Sequence, residues 1–315
     1  MPLWLNEADI RACLTMPAVM TAMEAALAAF SGGRVDQPVR TSFDLRERSF
    51  VALMPAYDSE LGLLATKLVS VIPENAGRGL PTHLASISLV DGVTGELLAV
   101  MDGRLITEMR TAAVSALSVK LLARRDAAVL AILGSGVQAR SHVQALPGFE
   151  DVRAWSPNAH HLAEFSEETG VRAAESAEAA VRDADVVVLA TNSVTPVLAD
   201  EWVKYGAHVI SLGAARVTQR EIAPELLERA RLVVDSREAA LAESGDIVQA
   251  IREGRIRPED ASLELGEVVV GRLGRRSEED VTLFKSLGLA VEDLATAALA
   301  YRAARAAGLG VELQG

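Results

Sequence analysis

The chain has 315 residues, of which half are hydrophobic and only 4% aromatic, so the sequence predicts two domains with mostly aliphatic cores. It carries 43 acidic and 31 basic residues, a net charge of −12, which disfavours nucleic acid or an anionic membrane as a partner. The single cysteine, Cys13, excludes an internal disulfide and a cysteine zinc cluster, and the histidine spacing predicts no metal site. Because no apolar run approaches about 18 residues and the N-terminus lacks a basic start, we expect a soluble cytoplasmic protein.

The first third of the chain predicts two helices followed by antiparallel strands. Asn6 and Asp9 have the spacing of a capping box at the start of the first helix. Between residues 35 and 100 the pattern changes to short strands broken by turn residues, which indicates antiparallel pairing. The strand segments are TSFDLR, SFVALMP, LLATKLVSVIP, HLASISLVD and ELLAVMD. A helix rich in alanine and serine is expected over residues 107–125.

The second part of the chain alternates continuous apolar strands with helices, which predicts a parallel sheet covered on both faces. The strand segments are AAVLAIL, VRAWS, ADVVVLAT, HVISLG and RLVVDS. The final segment, VTLFKSLGLAVEDLATAALAYRAARAAGLG, is assigned to a helix that follows a glycine-containing loop. This helix could return to the first part and make the first domain discontinuous.

A G-x-G-x-x-A motif, Gly134-Ser135-Gly136-Val137-Gln138-Ala139, lies between the first of these strands and its helix. Gly134 allows a tight turn, Gly136 lets the backbone approach a pyrophosphate, and Ala139 lets the helix pack on the strand. Free N–H groups and the dipole at a helix N-terminus favour anions, so the motif predicts dinucleotide binding. The alternative for such a short motif is an ordinary tight turn.

The choice of cofactor depends on the residue after the next strand, where an NAD site normally has Asp or Glu. Here the strand ends at Ser156, followed by Pro157 and Asn158. Because no carboxylate is present to repel a 2′-phosphate, NADP(H) is favoured and NAD(H) remains an alternative. No arginine follows directly, so Ser156, Asn158 and His160 are the available partners, unless they are ordinary turn and helix-start residues.

Three basic side chains are candidates for holding an anionic substrate. Strand alternation puts Lys67 on an apolar face, where an ammonium is costly unless it is paired; alternatively it is an edge lysine that reaches water. With Thr107 as N-cap, Arg110 falls in the first helical turn, where a cation needs an anion. Either Glu108 supplies that anion, or Arg110 and Lys67 hold a substrate carboxylate. Arg40 is either a second arginine that binds the substrate carboxylate or a surface charge.

The remaining candidates are weaker. His83 follows Thr82 on a strand after the loop at 73–81 and could face a site cleft, whereas His142 lies in the nucleotide helix and is expected to pack. Ser135 lacks the G-x-S-x-G spacing of a hydrolase, so acyl transfer is disfavoured.

A series of segments resembles the ornithine cyclodeaminase/mu-crystallin family, in the same order and over nearly the whole chain. They are Lys67-Leu-Val, Pro81-Thr-His, LLAVMDG, Arg110-Thr-Ala-Ala, GSGVQAR, ADVVVLAT, LLERARLVVDS, Gly245-Asp246, LGEVVVG and FKSLGLAVEDLA. The resemblance implies a homodimer and chemistry on the Cα–N bond of an amino or imino acid. With it we predict an α/β fold: a Rossmann-type parallel-sheet NAD(P) domain over residues 121–291, plus a smaller, discontinuous α+β substrate and dimerisation domain over residues 1–120 and 292–315.

The resemblance also implies roles for individual residues. Arg40, Lys67 and Arg110 match carboxylate-binding positions and Thr82 matches a substrate-side hydroxyl, and these four form the expected catalytic set, with His83 as a further substrate contact. Lys67, or a water near Thr82, is the candidate proton donor to the imine nitrogen. The expected cofactor contacts are Thr111, Gly134, Ser135, Gly136, Val137, Gln138, Ser156, Asn158, Thr191, Asn192, Ser193 and Gly288.

Two departures from the family narrow the expected activity. Ornithine cyclodeaminases and several amino-acid dehydrogenases carry an Asp two residues after the glycine that matches Gly213, where this chain has Ala214 and Ala215. Met54 replaces a cyclodeaminase-like acidic residue, and the surrounding stretch resembles the mu-crystallin branch, whose activity is ketimine reduction. We therefore expect NAD(P)H-dependent reduction of a small 2-imino acid, such as Δ1-piperideine-2-carboxylate or Δ1-pyrroline-2-carboxylate, to the L-amino acid. The alternatives are an alanine or amino-acid dehydrogenase, an ornithine cyclodeaminase, and a non-catalytic NADPH-binding protein.

Overall fold

A computed structural model describes residues 1–46 and 49–313, and this part of the chain divides into two compact units. The first unit joins Met1–Ala113 to the C-terminal segment that starts at Gly288, and the second unit is Val114–Leu287. The boundaries expected from the sequence, after residues 120 and 291, fall inside two helices, Arg104–Leu122 and Ala290–Ala307.

The first unit is built on one sheet, in which eight strands are described. These are β1 (Leu3–Leu5), β2 (Val35–Asp36), β3 (Thr41–Arg46), β4 (Ser49–Asp58), β5 (Leu63–Val71), β6 (His83–Asp91), β7 (Leu97–Asp102) and β15 (Val311–Glu312). Their order is β15-β1-β7-β6-β5-β4-β2, with β3 also paired to β4. All neighbours are antiparallel except β1 and β7. The antiparallel meander predicted between residues 35 and 100 is therefore confirmed.

Helices cover one face of this sheet. They are α1 (Glu7–Cys13), α2 (Met16–Ser31), the start of α3 (Arg104–Leu122), and α11 (Ala290–Ala307), and a 3-10 turn spans Pro73–Arg78. The capping box of Asn6 and Asp9 is present at α1. Helix α11 packs against α2, β4 and β5, and its many alanines allow this close approach. Within the described residues no single helix is long and apolar enough to cross a membrane, although α1 and α2 pass as a pair bent by 86°.

Helix α3 begins three residues earlier than the sequence predicts. It starts at Arg104, and Thr107 lies inside it, where the hydroxyl donates to the Gly103 carbonyl at 2.7 Å. The expected N-cap at Thr107 is therefore wrong, and Arg110 lies in the second helical turn. The N-terminal dipole does not dictate the partner of Arg110 at that distance from the helix end.

The second unit contains a parallel sheet, in which seven strands are described. They are β8 (Val129–Leu133), β9 (Asp151–Trp155), β10 (Arg172–Ala173), β11 (Val186–Leu189), β12 (His208–Ser211), β13 (Arg231–Val234) and β14 (Thr282–Lys285). The helices are α4 (Val137–Ala145), α5 (Ala159–Thr169), α6 (Ala177–Val181), α7 (Pro224–Arg229), α8 (Arg237–Glu243), α9 (Gly245–Arg252) and α10 (Leu265–Val269), with 3-10 turns at Asp200–Trp202 and Pro258–Ala261. The strand order β10-β9-β8-β11-β12-β14-β13 reverses between β8 and β11, which is the switch point of a Rossmann-type sheet.

Strand β14 is a difference from the sequence prediction, which assigns VTLFK to the helical end of the chain. This assignment is wrong: Thr282–Lys285 is a buried strand between β12 and β13. A four-residue apolar segment has no periodicity that separates a strand from a helix, and only its two neighbouring strands decide the outcome.

Two buried histidines in the second unit are held neutral. His142 lies between the Ser115 hydroxyl and the Gln138 carbonyl, each at 2.7 Å. His208 lies 3.0 Å from the Ser118 hydroxyl and 2.9 Å from that of Thr282. Burial lowers the pKa of His142 to about 4 and that of His208 to about 3. The expectation that His142 packs in the core is confirmed.

These histidines predict a loss of stability in mild acid. Because their pKa values in the folded chain lie below the ordinary 6.5, the unfolded state binds more protons as the pH falls below 6.5. The free energy of unfolding should drop by about 1.4 kcal/mol per pH unit for each histidine, down to the folded-state pKa. Urea titrations between pH 7.5 and 5 measure this slope. His142→Gln should reduce the slope, whereas exposed His161→Gln should not; equal slopes in both variants would contradict the assignment.

Candidate active site

Lys67 is buried at the centre of the first unit. It lies on the inner face of β5, only 2% exposed, with Met54 of β4 and Ile87 of β6 directly opposite it in the sheet. Its Nζ atom is 2.5 Å from Asp293 Oδ2 and 3.5 Å from the Thr107 hydroxyl. The predicted apolar face is confirmed, and the alternative of an edge lysine that reaches water is wrong.

Arg110 is held by two carboxylates from the first turn of α11. Its Nε donates to Asp293 at 3.2 Å and its Nη1 to Glu292 at 2.8 Å, and all three side chains are buried. The structure therefore places Glu292 and Asp293 beside Arg110, whereas the charges that act on Glu108 are those of Glu7, Arg11, Asp102 and Arg104. Sequence reasoning missed Glu292 and Asp293, although two adjacent acids in the otherwise apolar LAVEDLATAALA are a signal of paired, buried charge.

Arg40 joins the same group through Gly288. Its Nη2 donates to the Gly288 carbonyl at 3.2 Å. Gly288 has a φ of +79°, and a Cβ there would lie 2.3 Å from Nη1 of Arg110. The charges of Arg110 and Arg40 both act on Lys67. The structure thus brings Arg40, Lys67 and Arg110 together, while their binding of a carboxylate stays a prediction.

We call this group the cationic cluster: it combines three basic side chains, Arg40, Lys67 and Arg110, with two acidic ones, Glu292 and Asp293. Burial lowers the pKa of Lys67 to about 8, and the Asp293 carboxylate opposes this shift. Such a group can bind one monovalent anion and exchange a proton near neutral pH.

Thr82 and His83 lie where β6 begins. His83 is exposed, and strand alternation places it on the same face as Ile87, the cross-strand neighbour of Lys67. Its Nδ1 lies 3.1 Å from the Thr82 hydroxyl, and the Thr82 carbonyl accepts from the N–H of Ile72. Their roles as substrate contacts stay predictions.

The glycine turn after β8 has the geometry a dinucleotide requires. Gly134 has a φ of +126°, and a Cβ there would lie 2.4 Å from the Ala190 carbonyl oxygen. A Cβ at Gly136 would meet no atom within 4 Å, so the start of α4 is open for a close-lying phosphate. Val137 is exposed beside it, and the buried Oε1 of Gln138 has no hydrogen-bond partner among the described residues. The turn, with its open space at the N-terminus of α4, fits a dinucleotide pyrophosphate.

Several other expected cofactor contacts already have partners in the protein. The Asn158 Oδ1 accepts from the N–H of His161 and so caps α5, whereas Ser156 directly follows β9. The Thr111 hydroxyl donates to the Thr107 carbonyl inside α3 at 2.7 Å.

The segment Thr191-Asn192-Ser193 follows β11 and is fixed by Glu221. The backbone N–H and the hydroxyl of Thr191 both donate to Glu221 Oε1, at 3.0 and 2.6 Å. Sequence reasoning missed Glu221, and nothing in its local sequence distinguishes it. Among the described residues no group of three or more His, Cys, Asp or Glu side chains could hold a metal ion.

Known proteins match this chain over almost its full length. The model of the ornithine cyclodeaminase/mu-crystallin family matches residues 2–308. The ketimine reductase mu-crystallin of Mus musculus is 44% identical over 288 residues, covering 89% of this chain and 90% of that protein. The solved Δ1-pyrroline-2-carboxylate reductase of Thermococcus litoralis, in complex with NADH and L-proline, superposes with a TM-score of 0.94 at 37% identity, covering 99% and 100% of the two chains. An archaeal alanine dehydrogenase dimer with bound NAD gives 0.93 at 33% identity, covering 99% of each chain.

Replacement of Gly288 by alanine tests the packing of the cationic cluster. The new Cβ would overlap the Arg110 guanidinium, so Gly288→Ala should displace that side chain as well as strain the backbone. Gly95→Ala is the matched control, since Gly95 has a φ of +77° but open space around it. We expect Gly288→Ala to lower the free energy of unfolding by about 2 kcal/mol more than the control does, measured by urea denaturation. Equal losses would show that Arg110 moves aside freely.

Proposed function

This chain belongs to the ornithine cyclodeaminase/mu-crystallin family, and on that basis we propose that it catalyses the NAD(P)H-dependent reduction of a small 2-imino acid to the L-amino acid. The favoured substrates are the cyclic ketimines Δ1-piperideine-2-carboxylate and Δ1-pyrroline-2-carboxylate. The observation that carries the proposal is the cationic cluster, in which Arg40, Lys67 and Arg110 lie together as candidate partners of a substrate carboxylate. The family relatives named as ketimine and pyrroline-2-carboxylate reductases support the same reaction.

Carboxylate binding is assigned to Arg40 and Arg110. Guanidinium groups bind carboxylates in a bidentate manner, and Asp293 and Glu292 fix the Arg110 plane before any substrate arrives. A fixed anion site positions the C=N carbon of the substrate, which is the main contribution that binding energy makes to such a reaction. The hydride itself is supplied by the nicotinamide cofactor when it is bound.

The proton for the imine nitrogen is assigned to Lys67. With a pKa of about 8, its ammonium is mostly protonated at neutral pH and can still release a proton. Asp293, at 2.5 Å, stabilises the charged form in an environment that Met54 and Ile87 otherwise make apolar. This arrangement supports Lys67 as the donor over a water near Thr82.

Ornithine cyclodeamination is disfavoured by the residues around Lys67. A diamino acid brings a second ammonium, and the residue opposite Lys67 is Met54 rather than an acid that could pair with it. Ala214 and Ala215 offer no carboxylate either. Alanine dehydrogenation is the second candidate, because a structurally similar archaeal chain carries that name and an open-chain imino acid presents the same carboxylate.

NADP(H) is the proposed preferred cofactor. The site at the end of β9 has Ser156 where a ribose-binding carboxylate would repel the 2′-phosphate. Similar solved structures hold NADH or NAD, which supports a nicotinamide cofactor without deciding between the two.

A homodimer formed through the open face of the first sheet is also proposed. Phe43, Leu53, Leu68 and Leu84 are each exposed by 38% or more, and the register places them on one face in adjacent rows. A contiguous apolar sheet face of this kind marks an interaction surface. A second copy of the chain is its proposed occupant, since a similar archaeal enzyme is a dimer. The cytoplasmic location stays a prediction from the sequence.

The proposed reaction is tested by measuring the oxidation of NADPH and NADH in the presence of candidate substrates. NADPH and NADH should each be assayed with Δ1-piperideine-2-carboxylate, Δ1-pyrroline-2-carboxylate, and pyruvate plus ammonia. We expect turnover on a cyclic imine, faster with NADPH. Lys67→Met should lower kcat/KM at least about 100-fold, because general acid catalysis contributes on that order, whereas exposed Lys120→Met should not. Turnover only with pyruvate plus ammonia would favour the dehydrogenase, and ammonia release from ornithine without net change in NADH would favour the cyclodeaminase.

The proposed dimer is tested by charge placed on its face. Leu68→Glu should convert the dimer to a monomer, as measured by light scattering after size exclusion, because it would bury an unpaired carboxylate at the interface. Val93→Glu, at an exposed hairpin turn, is the matched control. A dimer unchanged by Leu68→Glu would rule out this face.

A further inference from the structure

A second buried group of charges lies in the second unit. Lys285 at the end of β14 is 3.0 Å from Asp246 Oδ2, and it also donates to the Ser211 hydroxyl at 2.8 Å and to the Gly213 carbonyl. Glu221 completes the group, which we call the anionic cluster (Ser211, Glu221, Asp246 and Lys285). All four side chains are at most 1% exposed, and the proposed reaction uses none of them.

Four hydrogen-bond donors stabilise the ionised form of Glu221. Its two oxygens receive the N–H and hydroxyl of Thr191, the Ser211 hydroxyl at 2.9 Å and the N–H of Gly213 at 2.8 Å. The Thr191 hydroxyl accepts from the N–H of Ser193 and donates to Glu221. The Ser211 hydroxyl accepts from Lys285, and its proton lies between Glu221 at 2.9 Å and Asp246 Oδ2 at 3.4 Å. A protonated Glu221 would give up part of this set of four donors. Burial raises the pKa of Glu221, and the four donors and Lys285 oppose that rise.

Asp246 is an acceptor in the same way, so the cluster carries excess negative charge. Its Oδ1 receives the N–H groups of Glu221 and Ile222, at 2.8 and 3.1 Å. One ammonium thus faces two carboxylates. The nearby Arg220 does not restore the balance, because Glu253 binds it at 2.7 and 2.8 Å. The cluster therefore holds one net negative charge in the interior, where its field is weakly screened.

The position of the cluster points to the cofactor. Ser211 ends β12 and Thr191 follows β11, so the cluster lies at the carboxyl ends of these strands. Ser156 lies on the other side of the switch point, after β9, where the adenosine ribose of a Rossmann site is held. Because a dinucleotide lies across the switch point, the β11 and β12 side faces its nicotinamide half. Gly213 packs closely on two of these residues, since a Cβ there would lie 2.2 Å from the Thr191 carbonyl and 2.6 Å from the Glu221 carboxylate.

We propose that Glu221 and Asp246, held by Lys285, are positioning residues that set the charge at the nicotinamide half of the site and so favour the oxidised cofactor, whose nicotinamide ring is cationic, over the reduced one. The nicotinamide ring gains a positive charge when it gives up its hydride, so a fixed negative charge stabilises the ring as that charge develops. Glu221 also fixes Thr191 and Gly213, the two backbone segments next to this charge. The inference rests on the proposed cofactor binding and concerns residues that the proposed reaction leaves unassigned.

The test compares the affinity for the two oxidation states. Dissociation constants for NADPH and NADP⁺, and for NADH and NAD⁺ in parallel, are measured by calorimetry on the full chain without substrate. Glu221→Gln keeps the size of the side chain and removes its charge, so it should weaken binding of the oxidised form more than that of the reduced form. The ratio of the oxidised to the reduced dissociation constant should rise about fivefold, a modest Coulomb effect at an effective dielectric constant of about 20.

Two further variants make the result decisive. Asp246→Asn removes the same unit of charge at another position, so it should move the ratio in the same direction and replaces Glu221→Gln if that variant does not fold. Glu167→Gln makes the same charge change at an exposed position of α5 and should leave the ratio unchanged. Equal weakening of both oxidation states in the two buried variants would assign the cluster a structural role alone and overturn the inference. Absence of cofactor binding by the unchanged chain would instead overturn the proposed function, and the inference with it.

Discussion

The buried pair of Lys67 and Asp293 is the constraint on which the first unit depends. An ammonium enclosed by Met54 and Ile87 is stable only if a carboxylate lies beside it, and that carboxylate comes from the other end of the chain. The chain must therefore return to the first sheet after it has formed the whole parallel sheet, which explains why the first unit is discontinuous. Loss of one partner of such a buried pair costs about 3–5 kcal/mol, so the folding of the C-terminal helix and the charge of the site are coupled.

The features that could be predicted from the sequence are those set by a few neighbouring residues. Strand alternation identified the inner face that carries Lys67, and the glycine motif identified the turn at Gly134, because each depends on only a few consecutive residues. Contacts distant in the chain were not predictable in this way. The carboxylates that bind Arg110 come from α11, and β14 is defined by its two neighbouring strands rather than by its own four residues. For Arg40 the residues alone left two alternatives, a carboxylate-binding arginine or a surface charge, and only the family resemblance favoured the first, since an isolated arginine has no local signal.

The two clusters differ in the balance of their charged side chains. Basic side chains outnumber acidic ones in the cationic cluster, for which we propose a substrate carboxylate, whereas two carboxylates face one ammonium in the anionic cluster, at the strand ends where we propose that the nicotinamide lies. In the reduction of an imine, the iminium charge disappears as the nicotinamide becomes a cation, while the carboxylate keeps its charge throughout. The two clusters would therefore assist different parts of the proposed reaction. The cationic cluster would hold the substrate carboxylate in the ground state and the transition state alike, whereas the anionic cluster would act only as hydride is transferred.

Met54, the residue opposite Lys67 in the sheet, bears on which class of substrate we expect. An acid at the position of Met54 would add a negative charge beside Lys67 and create a partner for a second substrate ammonium. With Met54 in place, the neighbours of Lys67 in the sheet are apolar, which supports the proposed binding of a carboxylate without a second ammonium. A ring composed of methylene groups suits such a surface, because it buries hydrocarbon and leaves no polar group without a partner. This is the physical reason to expect a cyclic imino acid rather than a diamino acid on this scaffold.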